Sequence, residues 1–352
     1  MTVVALSHGY PPHWNMGGEV SLHRSIAPLD GRKVVLTATD KEYIFEGVEV
    51  KKINTPDVLN VKANPGPIAT QLRSLDAKVV IGQNELSLPG VLAANHIGAI
   101  SMVNVHTPPR YGRLIREAVV NADYAIYNTE TSAKQWGEPR AIVLHPPISK
   151  LPTKTFGDGD AYTLLSSLTN KGVEVVIKLA KQYPDKRFIV VRSPADPTHG
   201  LKNIEEIASE LDNLELHPRV APEEVHKYLK QTRILLVPSR YETYGMSAIE
   251  AAGYGIPSIH VDTPHVREGI GDAAVLVPPM NLERTANGIE LIEKDYEKYS
   301  LNSRARAEFL ASRQETELEK FSDFINNAKK PRENAIRKKS VTKASRLNFQ
   351  DS

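Results

Sequence analysis

The chain contains no cysteine, which excludes disulfides, cysteine-ligated zinc, thiol catalysis and cysteine-held clusters. That absence says little about compartment. No apolar run approaches the roughly 18 residues needed to span a bilayer. Met1 to Leu6 leads directly into a strand with no basic stretch before it, so neither a secretion signal nor an anchor is expected, and a cytoplasmic location is. Strong charge of one sign is also missing, since the net charge is only +2. It is uneven, however: from Asn327 onward Lys329, Lys330, Arg332, Arg337, Lys338, Lys339, Lys343 and Arg346 face only Glu333 and Asp351, giving +6 and leaving −4 for the rest. Any affinity for polyanions is therefore expected in the tail.

At 352 residues the chain exceeds the size at which a single core usually stops growing, so two domains are the default. An apolar share of 41% and a mean hydropathy of −0.33 fit a soluble globular protein.

One stretch, Pro238 to Pro257, organises the reading. The β-branched run Ile234 to Val237 before it suits a buried strand, and Ser258 to Val261 after it suits another. Between them Met246 to Ala252 is helix-prone and is stopped by Gly253, Gly255 and Pro257. The first turn of such a helix offers unpaired N–H groups and partial positive charge to phosphate oxygens. Gly245, without a Cβ, lets an anion approach where loop meets helix. Glu242 and Glu250 flank this point and are suited to accept bonds from hydroxyl pairs. Two solvated glutamates are the plain alternative.

Taken in order, the first half predicts strands at Thr2–Ser7, Lys33–Ala38, Val48–Ile53, Lys78–Gly82, Ala99–Val105, Tyr124–Asn128 and Ala141–Leu144. Helices are expected from about Glu19 to Leu29, at Leu88–His96 and at Arg113–Asn121. Gly17-Gly18 then belongs to a loop after the first strand, either a plain turn or a place for phosphate to approach. The second half predicts strands at Tyr162–Leu168, Phe188–Arg192, Leu214–His217, Ile234–Val237, Ser258–Val261 and Ala274–Val277. Its helices fall near Val173–Gln182, Ile204–Leu211, Glu223–Gln231, Met246–Ala252, Asn281–Lys294 and Leu301–Asn326.

Alternating strands and helices imply doubly wound, mostly parallel sheets that bind ligands beyond the carboxyl ends of their strands. His106, Gln83, Asn84 and Glu85 occupy such positions. Proline and glycine crowd between His145 and Asp160, which places the linker at residues 148–160, between a Rossmann-like domain over 1–147 and a second over 161–326. Asp158-Gly159-Asp160 mimics a metal-binding Asp-x-Asp, but its place in the linker is that of a plain turn, which is the expectation. Residues 327–352 form a basic tail expected to be disordered.

With these residues in place, the chain resembles the retaining nucleotide-sugar glycosyltransferases of the large family four. The pattern Pro-Ser-x-x-Glu-x-Tyr/Phe-Gly-x-x-x-x-Glu-Ala, with Gly-x-Pro after it, is matched at Pro238 to Pro257. Val266-Arg267-Glu268, Gly271 to Pro279, Lys171-Gly172 and the loop Pro12 to Glu19 look like further segments of that family. The resemblance implies a GT-B fold: two Rossmann-like, doubly wound α/β domains facing across a cleft, the first for the acceptor and the second for the donor. It implies that Glu250 binds the ribose hydroxyls, and that Glu242 with the backbone of Thr243, Tyr244, Gly245, Met246 and Ser247 holds the transferred sugar and diphosphate. Lys171 would neutralise the leaving group, His106 would contact the donor sugar, and Gly17 with Gly18 would admit the donor.

The same resemblance implies a metal-independent retaining transfer from a nucleoside-diphosphate sugar, with no bound cofactor. The acceptor hydroxyl is left open among protein, glycan, small molecule and DNA. The alternatives are a GT-B epimerase or phosphorylase, or a non-catalytic nucleotide-sugar or nucleic-acid binding module using the basic tail. The family also carries an arginine four or five residues before the lysine, where this chain has Ser166-Ser167. Either Arg192, at the end of the next strand, supplies that cation, or donor binding is weakened.

Overall fold

A computed structural model of the chain describes residues 1–14, 16–54, 65–107, 113–193, 200–221 and 224–331. Strands β1 (Thr2–Ser7), β2 (Arg32–Thr37), β3 (Tyr43–Phe45), β4 (Val48–Lys52), β5 (Val79–Gln83), β6 (Ile100–Val105), β7 (Tyr124–Tyr127) and β8 (Ala141–Val143) form one sheet, in the order β3-β4-β2-β1-β5-β6-β7-β8. Strands β9 (Ala161–Leu164), β10 (Arg187–Val191), β11 (Leu214–His217), β12 (Thr232–Val237), β13 (Ser258–Val261) and β14 (Ala274–Val277) form the other, in the order β11-β10-β9-β12-β13-β14. Pairing is parallel throughout except between β3 and β4.

Parallel sheets are covered by helices on both faces, so their strands are apolar along their length instead of alternating. Every residue of β1 is buried accordingly. Each sheet reverses its winding direction once, between β1 and β5 in the first and between β9 and β12 in the second. The crevice for a ligand opens at such a reversal, outside the carboxyl ends of the strands. The carboxyl ends of β1, β5, β9 and β12 lead to the Gly17-Gly18 pair, Gln83, Ser166 to Lys171 and Pro238 to Gly245 at those two places.

Several boundaries differ from expectation. The first helix runs Gly17–Ile26, so the glycine pair is its first turn and not a loop ahead of it. Strand β9 stops at Leu164, four residues early, and Leu165, Ser166 and Leu168 beyond it line the cleft. Strand β3 is too short to show alternation, and its turn to β4 is made by Glu46 and Gly47 at positive φ. Helices Gly66–Ser74, Glu130–Trp136 and Pro264–Glu268 are also additions to the expected set, although Thr129 and Thr263 cap the last two through their hydroxyls.

The last helix of the expected second domain also packs on the first sheet. The last helix, Tyr296–Asn327, buries Ala307 and Leu310 with the second sheet and then Phe321 and Ile325 with the first. Tyr124 stacks edge to face on Phe324 at 4.9 Å. Sequence periodicity marks which face of a helix is buried but not in which core. Past the helix, Tyr124 Oη donates to the Lys329 carbonyl at 2.8 Å, and Lys330 Nζ lies 3.8 Å from Asp123. The expected start of the tail is thus laid on the first sheet, and its basic residues beyond Pro331 fall outside the described residues. No helix among the described residues is long and apolar enough to cross a membrane.

Candidate active site

After β12 the chain makes a loop that delivers Gly245 at φ +88 to the start of helix Met246–Gly253. A side chain there would be strained, and its Cβ would sit 2.8 Å from His260 Nε2. The single helical turn Thr169–Lys171 is fastened to this loop. Gly172, at φ +91, lies where a Cβ would meet Pro238 at 2.7 Å, and Arg240 N donates to the Asn170 carbonyl at 2.8 Å. These contacts bring Lys171 Nζ to 2.6 Å from Glu242 Oε1, which also accepts from Ser239 Oγ at 3.0 Å.

Burial pushes the Glu242 carboxyl up, but the Lys171 ammonium, with charge from His260 and the two hydrogen bonds, outweighs it and holds the carboxyl below its usual range. Lys171 is the durable partner, because burial lowers His260 toward its neutral form. His260 Nδ1 donates to the Val261 carbonyl at 3.0 Å, which in the neutral ring leaves Nε2 as the lone-pair nitrogen beneath Gly245, without a partner among the described residues.

The facing wall comes from the other domain and carries no comparable charge. Met16, Gly17, Gly18 and Ser21 stand at the first helix, His106 after β6 and Asn128 after β7. Burial depresses His106 to about 4, so the ring is neutral near pH 7, with Nε2 3.4 Å from Gln83 Oε1. Asn128 Nδ2 reaches the Thr243 carbonyl at 3.4 Å, directly across the cleft.

The two walls are held together by polar contacts. Glu268 accepts from the backbone N–H groups of Glu130 and Thr131, both at 2.7 Å, so a carboxylate of one domain caps a helix of the other. His145 Nδ1 lies 2.9 Å from Glu317, and His265 Nδ1 lies 3.0 Å from Thr129 Oγ1.

A cavity of about 380 Å³ lies between the walls. Gly17, Gly18, His106, Lys171, Glu242, Thr243, Tyr244, Gly245, Met246 and Ser247 all line it, as expected from the sequence. Two other residues expected there do not. Glu250, one helical turn beyond Met246, faces an adjoining cavity of about 250 Å³ with Arg24, Ser149, His226 and Tyr254. Arg192 pairs with Glu205 and is not among the cavity residues, so the cation expected from it is not delivered there. Arg192 directly follows strand β10, and the carboxylate it meets belongs to the following helix, Ile204–Ser209. Ser166 itself lines the cavity, and Ser167 Oγ accepts from Ser193 N at 3.3 Å. Among the described residues, Lys171 is the one cation lining this cavity apart from the neutral His106.

Sequence reasoning does not single out Arg24, Asn128, Ser239 or His260. Ser239 stands in the quoted motif and Asn128 at a predicted strand end, so both have a signal. Arg24 and His260 sit within a helix and a strand, with nothing in their spacing to distinguish them.

Comparison with known proteins agrees with this architecture. Residues 161–308 match the family described as "Glycosyl transferases group 1". An uncharacterized glycosyltransferase of Haemophilus influenzae is 26% identical over 196 residues, covering 52% of this chain and 55% of that protein. The chain spans about half the length of the curated relatives it matches. Among solved structures, Anabaena HepE in complex with UDP-glucose superposes with a TM-score of 0.77 at 15% identity, covering 93% of this chain and 99% of that one. Sucrose-phosphate synthase of Thermosynechococcus elongatus gives 0.77 at 15%, covering 92% and 98%. The fold is GT-B.

Proposed function

We propose that the protein transfers a sugar from a nucleoside-diphosphate sugar to an acceptor hydroxyl, with retention of anomeric configuration and without a metal. The observation that carries this reading is the Lys171–Glu242 pair at 2.6 Å, set beside the start of helix Met246–Gly253 and opposite Gly17, Gly18 and His106. Negative charge develops on the departing diphosphate, and fixed donors aimed at it lower the barrier. Lys171 supplies one. The first helical turn supplies others: Ala248 N is already bonded to the Gly245 carbonyl, while a helix beginning at Met246 leaves the N–H groups of Met246 and Ser247 without an intrahelical acceptor.

Glu242 is tethered through one oxygen by both Lys171 and Ser239, which suits a residue that orients sugar hydroxyls better than one that attacks. Retention then proceeds on the front face, within the ion pair of diphosphate and oxocarbenium. A neutral His106 adds a hydrogen-bonding group from the opposite wall without repelling that cation. Binding of UDP-glucose by HepE supports a nucleotide-sugar donor. The acceptor, among protein, glycan, small molecule and DNA, is the open half of the reaction.

The test is mass spectrometry of candidate acceptors incubated with a panel of nucleotide sugars, repeated with chelator and with product stereochemistry read by NMR. Lys171→Ala and Glu242→Ala are each expected to reduce transfer by at least about 100-fold. Wild type that binds donor yet never turns over, with any acceptor or water, would replace this reading with a binding module. Free sugar released without acceptor, or a strict need for orthophosphate, would replace it with an epimerase or a phosphorylase.

A further inference from the structure

Arg24 stands on the first helix of the amino-terminal domain and reaches the junction between the domains and, beyond it, the second domain. Its Nη1 donates to the Pro147 carbonyl at 3.1 Å and its Nη2 to Ser149 Oγ at 2.5 Å. Both nitrogens also approach Glu250 Oε1, at 3.4 and 3.5 Å. Glu250 belongs to helix Met246–Gly253 of the second domain, so this contact joins residues 226 positions apart. Both approaches go to Oε1, no hydrogen bond to Oε2 is found among the described residues, and Glu250 lines the cavity beside the candidate active site.

Resting on the nucleotide-sugar donor reading, we infer that Arg24 is a positioning residue for the nucleotide: it fixes one oxygen of Glu250 from the opposite domain and leaves the other for a ribose hydroxyl. Three features support this. A planar guanidinium held at the linker by two further bonds is a rigid reference point, unlike a free lysine. Glu250 keeps 32% of its side chain accessible, so its carboxylate is reachable while paired. Finally, burial pushes the Glu250 carboxyl upward and Arg24 draws it back. Without Arg24, acidification would convert a pure acceptor into an O–H donor at a higher pH. The other charged or titratable groups around it are Lys150 from the linker, His226 from helix His226–Leu229, and Tyr254, whose phenol burial and Glu250 push up. None of these is altered in the Arg24 variants, so differences between pH profiles isolate Arg24. Nucleotide binding is thereby tied to the arrangement in which the domains meet.

The experiment is calorimetric titration of UDP, GDP and ADP into full-length protein across pH 5 to about 8, a window set by the ordinary carboxylate and histidine values. Arg24→Met should weaken binding by about ten- to a hundredfold at neutral pH. It should also move the pH at which affinity falls upward relative to wild type. On a Glu250→Gln background the same change should leave the pH profile where it was. Should Arg24→Met fail to fold, Arg24→Lys, which keeps the charge but loses the fork, should give an intermediate midpoint. An equal loss at every pH, or no loss, would overturn the inference and leave Arg24 as a tie between domains, with the donor reading intact. If wild type binds none of the three nucleotides, the donor reading fails and this inference with it.

Discussion

The two walls of the cleft differ in how they treat charge. The carboxy-terminal wall presents an ion pair, Lys171 with Glu242, beside the positive end of a helix, and burial strengthens both by excluding water. The amino-terminal wall presents a glycine pair, an amide and a histidine kept neutral by burial. A similar contrast separates the two glutamates. Glu242 takes its cation from its own domain and is drawn below the usual carboxylate range. Glu250 takes its cation from the other domain and is raised. One wall is thus preorganised by itself, whereas the pairing at the neighbouring Glu250 is completed only when the domains meet.

The glycines test this contrast most sharply. Gly245→Ala puts a Cβ against His260 Nε2 in a left-handed backbone, and should cost about 1–3 kcal/mol of stability and, in the proposed reaction, about 100-fold in transfer. Gly17→Ala on the opposite wall meets nothing within 4 Å and lies in a helix, so it should leave stability unchanged or raise it by up to about 1 kcal/mol. Thermal denaturation of the two variants checks the pair; equal losses would show that the walls are equally constrained.

The seam between the domains is the next place to break the comparison. Burial raises the Glu268 carboxyl, but its bonds to the Thr131 hydroxyl and to the Thr131 and Glu130 amides more than offset that, so its folded value lies below the unfolded one. Its contribution is therefore present above the unfolded carboxylate value and is lost as pH falls through the folded one. Glu268→Gln should cost about 1–2 kcal/mol near pH 7. The gap to wild type should close as the pH drops below about 4, the range in which carboxylates protonate. Denaturant unfolding at several pH values measures it, and a gap that persists into acid would remove Glu268 charge from the seam.

The smallest effect concerns Arg192, expected from the resemblance to stand in for an arginine that this chain lacks. Arg192→Ala should change nucleoside-diphosphate affinity by less than about twofold, because its partner Glu205 lies away from the cavity. A tenfold loss by calorimetry would return Arg192 to the donor site.

Much of the fold was legible because burial on both faces of a parallel sheet leaves apolar runs, and loops between such runs fall at strand ends. The grouping of His106, Gly17, Gly18, Lys171 and the Glu242 to Ser247 loop came from that rule together with the family resemblance. Glu250 and Arg192 separated from the group because a strand or helix position fixes where a residue begins, and the nearest opposite charge fixes where a long side chain ends.

By itself, then, the sequence determined the local elements: two doubly wound parallel sheets, a glycine at the left-handed turn before helix Met246–Gly253, and a carboxylate on either side of that turn. These depend on periodicity and backbone preference, which act over a few residues. Only the tertiary structure decided that Lys171 lands on Glu242 across 71 positions, that Arg24 meets Glu250 across 226, and that the final helix ends in the first core. Such pairings depend on how far-separated loops and two domains are placed against one another, and no local pattern encodes that distance.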